Sequence, residues 1–367
     1  MKRSLFRWLS NILLSLTSIV LLFVAGEMVL AMYLPKPIIW IHPQESYIYH
    51  PKLLHQLRPN QNSFTHSFTV ITNSYGLRND EFSLKPKPQT FRILCLGDSL
   101  TFGNGVKVQD TYPQRLQLML NSHPGGKSFE VINAGVPAYD TWQEAVYLRE
   151  YGVNFSPQLV IIGFYANDIV PRPKTIRQTL DESGFRSRDG VKRIISSETV
   201  HVLKRSRVLL FVKDLYEKVI NRLNPSSEYR HKLSLLEGTN EPFIENGWKE
   251  VETSIGEMRS LGEKHGFQLL VVLFPMADEV IGGYPNATYR ARLREMAERY
   301  EIHFVDLLGP FKTSSDDFGP LFIEWDGHPN ARGYEIAARE IGKFLLSNGV
   351  VLPARQRTQG ITNGKES

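Results

Sequence analysis

Cysteine occurs once in the 367-residue chain, at Cys95, which rules out an intramolecular disulfide and any zinc site built on a cluster of thiolates. Its neighbours are apolar, so the role expected of it is that of a small buried hydrophobe. The chain also lacks an HExxH pair, a P-loop and a dinucleotide fingerprint, and GNGVKV at 103–108 has no Gly-Lys-Ser/Thr ending to cradle phosphate. No metal and no nucleotide cofactor is therefore called for. The formal net charge is only +5, and no dense basic block interleaved with aromatics suggests nucleic acid as a partner. There is no internal repeat or low-complexity tract. With 42% hydrophobic and 22% charged residues, the chain is ordinary globular material, long enough for one large domain with extensions.

One long apolar stretch opens the chain. Lys2, Arg3 and Arg7 precede an uncharged run from Trp8 to Gly26, and after Glu27 the apolar character resumes to Leu34. This predicts a membrane anchor over 1–34 with its amino terminus in the cytoplasm and the rest of the chain on the extracytoplasmic side, periplasmic in a Gram-negative cell. A cleaved signal peptide is the competing reading, although the stretch is long and no clean small-x-small cleavage site follows it. Glu27 falls near the outer boundary of such a span, where a carboxylate reaches water, and is expected to be tolerated there without a function.

Residues 35–89 are rich in Pro, Asn, His and Tyr and show little helical periodicity, so an extended juxtamembrane segment packing on the domain is expected. From about residue 90 strands and helices alternate. Apolar runs at 93–96, 131–132, 159–164, 269–274 and 303–307 are strand candidates. Trp248, Val251, Ile255, Met258 and Leu261, and again Tyr334, Ala337, Ile341 and Leu345, recur at the spacing of one buried helix face. Alternation of this kind implies a parallel sheet covered by helices on both sides.

Between about 170 and 247 lies an insertion that such a core does not need. Residues 171–207 carry ten Lys/Arg against four Asp/Glu, and Val208, Phe211, Val212, Leu215 and Val219 then follow helical spacing. Two readings are open: a helix covering the sheet edge behind a solvated basic loop, or a lid or docking surface for an anionic polymer or lipid headgroups. The catalytic region is placed at 90–349, and a polar, disordered tail is expected at 350–367.

Four blocks carry chemistry. FRILCLGDSLTFGNG around Ser99 is a buried-strand pattern that stops on Gly97-Asp98-Ser99-Leu100, placing a hydroxyl at a strand's carboxyl end, where open α/β sheets hold their ligands. NAGVPAY at 133–139, GFYANDI at 163–169 and DGHPNARGY at 326–334 follow in order. Together they resemble the SGNH (GDSL-type) hydrolase superfamily over roughly residues 92–346. TNSYGLRNDEF at 72–82 is similar to a preface found in membrane-anchored members. The resemblance implies a flavodoxin-like three-layer α/β/α sandwich with a parallel sheet.

It also implies roles. Ser99 is the expected nucleophile, and its own N–H a donor to the developing oxyanion. His328, on a short loop before a helix that Asn330 should cap, is the expected general base. Asp326 stands two residues before His328, where many members have three. Trp325 occupies the third position and cannot orient an imidazole, so Asp326 is the expected partner of the ring and Glu324 the fallback. Gly135 and Asn167 are the further oxyanion donors implied, although Tyr165 stands where a glycine usually precedes the asparagine by two residues. The remaining histidines, among them His42, His50, His55, His66 and His303, are expected to pack or face solvent.

These roles imply a serine ester hydrolase that acts through an acyl-enzyme on an O-acyl ester of a glycan or lipid, O-acetyl glycans included. An O-acyltransferase modifying an envelope polysaccharide is the alternative, since transfer uses the same base. A catalytically silent glycan-binding subunit is a third reading, against which intact Ser99, Asp326 and His328 argue.

Overall fold

The computed structural model describes residues 2–34, 37, 47–64, 68–123, 127–170, 203, 205–239, 241–284, 287–318 and 320–351. The chain opens with helix α1 (Lys2–Tyr33), of which Phe6–Tyr33 is long and apolar enough to cross a membrane and is not buried against the protein. Two hairpins follow. Strand β1 (Tyr47–His50) pairs antiparallel with β2 (Leu54–Leu57), and β3 (Asn62–Phe64) with β4 (Thr69–Ile71).

The segment expected to be extended and to pack on the domain does pack there and also has regular pairing, with alternate side chains of β2 and β4 turned inward. His55 and Leu57 on β2 and Val70 on β4 are buried, as are Leu53 and Leu77 in the flanking turns. Arg92, fully buried, ties the segment to the sheet: its guanidinium donates to the Ser83 and Leu84 carbonyls at 2.7 and 2.6 Å and pairs with Glu130 at 2.6 Å.

The main sheet starts at β5 (Thr90–Gly97). After the one-turn helix α2 (Ser99–Phe102), the chain passes through α3 (Tyr112–Ser122), β6 (Ser128–Asn133), α4 (Thr141–Glu150) and β7 (Leu159–Phe164). Helices α5 (Arg207–Leu223), α6 (Ser227–Glu237) and α7 (Pro242–His265) come next, then β8 (Gln268–Leu273), α8 (Ala277–Gly282), α9 (Tyr289–Arg299), β9 (His303–Asp306), α10 (Leu308–Phe318) and α11 (Ala331–Ser347). All five sheet strands are parallel, in the spatial order β6-β5-β7-β8-β9.

Because β5 lies between β6 and β7, connections leave its two sides toward opposite faces, and a crevice opens beyond the carboxyl ends of β5 and β7. The central strands β5, β7 and β8 are buried on both faces, so their apolar runs are nearly continuous. Leu94, Leu96, Val160 and Ile162 join the core under α4 and α7, while Ile93, Cys95, Leu159 and Ile161 join the core under α3 and α11. Parallel sheet and two helical layers make the three-layer sandwich that the alternation implies.

The helical faces read from spacing are buried too: Trp248, Val251, Ile255 and Met258 in α7, and Tyr334, Ala337, Ile341 and Leu345 in α11. Leu261 is only half-buried. Of the insertion, 171–202 lies outside the described residues, as do the basic loop's docking surface and the tail at 352–367. Its helix α5 does not cover the sheet edge, since none of its residues is buried. Glu27 is more than tolerated, for its carboxylate accepts hydrogen bonds at the start of α5.

Candidate active site

Ser99 is the first residue of α2, directly beyond β5 at the crevice. Asp98 caps that helix, its Oδ1 accepting the Leu100 N–H at 2.8 Å. As a first-turn residue Ser99 has no intrahelical acceptor for its own N–H. At the other end of α2, buried Arg78 from the 72–82 preface donates to the carbonyls of Phe102, Gly103 and Val106 at 3.0, 2.8 and 2.8 Å. The first two stand at the end of α2, where a helix leaves carbonyls short of intrahelical partners. Burial brings the Arg78 guanidinium down to about 10.

His328 and Asp326 come from a small loop closed on itself. Ile323 N–H donates to the His328 carbonyl at 2.8 Å, and Asn330 N–H to Leu321 at 2.8 Å. Gly327 adopts a φ of +85°, a left-handed conformation that a side chain would strain, and this turn brings the Asp326 carboxylate back over the ring two residues on. Asp326 Oδ1 bonds His328 Nδ1 and also accepts the His328 N–H at 3.2 Å. His328 Nε2 lies 2.8 Å from Ser99 Oγ. A carboxylate only accepts, so Nδ1 carries the proton and Nε2 is left to accept from the hydroxyl. Glu324 is exposed. Asn330 Oδ1 caps α11 by accepting from Arg332 and Gly333 N–H at 3.0 and 3.1 Å.

Asn167 sits in the turn after β7, and its Nδ2 donates to Asp98 Oδ2 at 2.9 Å. Asp98 therefore joins the nucleophile's turn to the asparagine. Its place inside the Gly-Asp-Ser-Leu string was the available signal, and the motif reading passed over it. Tyr165, half-buried where a glycine was expected, has its phenol pushed up by burial and by the carboxylates of Asp98 and Asp278.

Gly135 is placed differently from expectation. Its N–H donates to Asn133 Oδ1 at 3.0 Å and is engaged within its own loop. What the position requires is closeness: a Cβ there would stand 2.2 Å from the Phe102 nitrogen. The loop is held beside the nucleophile by Val136 N–H, which donates to the Gly97 carbonyl at 3.0 Å. It then forms a turn closed by Tyr139 N–H on the Val136 carbonyl at 3.1 Å, with Pro137 second and Ala138 third at φ +71°. That is type II geometry, which usually has glycine at the third position.

His55, expected merely to pack, bonds the Pro137 carbonyl through Nε2 at 2.9 Å. His50 bonds the Tyr151 hydroxyl and His303 the Gln268 side chain, at 2.8 and 3.1 Å. His42 and His66 lie outside the described residues. Among the described residues no group of three or more His, Cys, Asp or Glu could hold a metal ion.

The hydrogen-bonded series Asp326, His328, Ser99 is an arrangement suited to acyl transfer. Residues 95–336 match the GDSL-like lipase/acylhydrolase family, and the chain belongs to that family. The structure is similar to a lipolytic G-D-S-L protein from Veillonella parvula, with 14% identity over 71% of this chain and 100% of that one and a TM-score of 0.39. It is also similar to a lipase/acylhydrolase from Enterococcus faecalis, with 15% identity over 70% and 96% of the two chains and a TM-score of 0.40. No curated protein matches significantly.

Proposed function

We propose that this protein is an extracytoplasmic serine ester hydrolase, anchored by α1, that removes O-acyl groups from a glycan or lipid of the cell envelope. The observation that carries the reading is the Asp326-His328-Ser99 series, unbroken at 2.8 Å between His328 Nε2 and Ser99 Oγ. Ser99 Oγ attacks the ester carbonyl carbon as its proton passes to His328 Nε2, and Asp326 stabilises the imidazolium that results. The tetrahedral oxyanion takes hydrogen bonds from the Ser99 N–H and from Asn167 Nδ2. When it collapses, His328 returns the proton to the leaving alkoxide and the acyl group stays on Ser99. Water, deprotonated by the same imidazole, then attacks the acyl-enzyme and releases the acid.

A further main-chain donor belongs to the loop after β6, which the Val136 N–H on the Gly97 carbonyl holds beside the nucleophile. A trans peptide directs its N–H opposite to its carbonyl, so His55, by holding the Pro137 carbonyl, aims the Ala138 N–H away from the β1-β2 hairpin. The charges Lys2, Arg3 and Arg7 in the first turns of α1 favour an inside amino terminus and an outside catalytic region over 90–349.

Full-length protein in detergent should hydrolyse p-nitrophenyl acetate and be labelled by a fluorophosphonate. Ser99→Ala should abolish labelling and lower kcat by ~10³-fold or more while the protein stays folded. Undiminished turnover by folded Ser99→Ala would overturn the reading. An acceptor sugar that captures the acyl group in preference to water would convert it to an O-acyltransferase.

A further inference from the structure

Helix α5 presents a face that none of the described residues covers. Val212, Leu215, Tyr216, Val219 and Leu223 share one side and are each about half exposed or more. The ion pairs Lys213–Glu217 and Asp214–Lys218, at 2.9 and 2.8 Å, lie on the opposite side. None of the helix's 17 residues is buried. A helix of this length is only marginally stable alone in water, so an apolar stripe of this size implies a covering surface.

Its attachment says which surface. The Glu27 carboxylate of α1 accepts from the Arg207 and Val208 N–H groups at 3.2 and 3.1 Å and bonds the Ser206 hydroxyl, while Ser206 Oγ accepts the Leu209 N–H at 3.1 Å. The donors that a helix start leaves unsatisfied are thus met largely by an acid from another helix. Arg207 Nε also donates to the Leu34 carbonyl at 3.2 Å.

At 1.5 Å per residue, the stretch from Phe6 to Ala25 covers the roughly 30 Å of a bilayer's hydrocarbon. Glu27 then lies at the outer interface, and α5 starts at that depth. Residues 205–223 carry five Lys/Arg against two Asp/Glu, a balance that suits anionic headgroups. At its far end the insertion returns through α6, whose Leu235 and Leu236 are buried in the core beneath α4 and α7.

We infer that α5 is an interfacial helix, lying on the outer leaflet with its apolar stripe among the lipids and pinned to the membrane span by Glu27. Helices of this composition bury their apolar face at the boundary between headgroups and acyl chains. The insertion thereby holds the catalytic region against the bilayer at two points, α1 and α5. The inference rests on the proposed membrane-anchored reading of α1.

The test uses full-length protein in phosphatidylethanolamine and phosphatidylglycerol vesicles that contain doxyl-labelled lipid. The polarity-sensitive thiol probe NBD is attached to Leu14→Cys in α1, Leu215→Cys on the apolar stripe or Glu217→Cys on the polar side. Quenching of at least about twofold is expected at 14 and 215, with little at 217. Glu27→Ala should reduce quenching at 215 and leave it unchanged at 14.

Quenching at 14 but not at 215 overturns the interfacial helix and leaves the anchor standing, whereas none at 14 overturns the anchor and this inference with it. A blue-shifted but unquenched probe at 215 assigns the stripe to a protein partner and overturns the lipid assignment. Equal quenching at 215 and 217 overturns the orientation, and a Glu27→Ala variant that quenches like its parent removes Glu27 as the pin.

Discussion

Asn167 Nδ2 donates to Asp98 Oδ2 at 2.9 Å across 69 positions of sequence, and the same carboxylate caps the helix that begins at Ser99. One buried acid therefore sets both the start of the nucleophile's helix and the side chain proposed to meet the oxyanion. Asn167→Ala should lower kcat by ~10²- to 10³-fold with the melting temperature nearly unchanged. Asp98→Ala should cost comparable activity plus about 1 kcal/mol of stability from the lost cap. In the double variant the activity losses should not multiply, because both act through one hydrogen bond. Kinetics and thermal melts of the three proteins check this, and fully multiplicative losses would separate the two residues.

The shortened Asp-x-His spacing makes a second expectation sharp. Asp326→Ala should lower ester turnover by ~10²- to 10⁴-fold, since the imidazole loses its tautomer and its compensating charge. Exposed Glu324 should be replaceable by alanine with little effect. The two variants assayed at saturating ester decide it, and a large loss confined to Glu324→Ala would reverse the assignment.

His55 offers a test of the turn at 136–139. His55→Phe keeps bulk but leaves the buried Pro137 carbonyl without its donor, and kcat should fall by ~10-fold with KM little changed. His55→Gln, whose amide can donate, should recover part of that loss. A fall in melting temperature with unchanged kcat in His55→Phe would reduce the residue to a structural one.

Burial pushes the Cys95 thiol well above its ordinary value of 9.0, so the native protein should resist a thiol reagent at about pH 8. One equivalent should react after denaturation. Above the ordinary value the unfolded thiol ionises while the folded one does not. Stability is therefore undiminished by this group below that value and is lost progressively as pH rises past it. Rapid modification of folded protein would contradict the burial.

What local pattern encodes was legible in the chain. Runs such as 159–164 identify strands buried on both faces, Trp248 to Met258 identify a helix face, and Ser99 with His328 announces itself by motif, because periodicity and turn chemistry act within a few residues. Strand ends were placed less well. Ser128 and Asn133 join β6 only because Thr90 and Cys95 stand opposite them, and pairing partners are not local.

The same distinction governs the site. Motif spacing brought Ser99, Asp326, His328 and Asn167 into view, but it also singled out Gly135. Only the folded loop turns that N–H onto Asn133 Oδ1. The contacts of Asp98 with Asn167, of His55 with Pro137 and of Glu27 with the start of α5 join residues tens to nearly two hundred positions apart. Composition and periodicity are blind to such pairs, because a hydrogen bond depends on where two atoms lie in space, which the packing of the sheet and its helices decides.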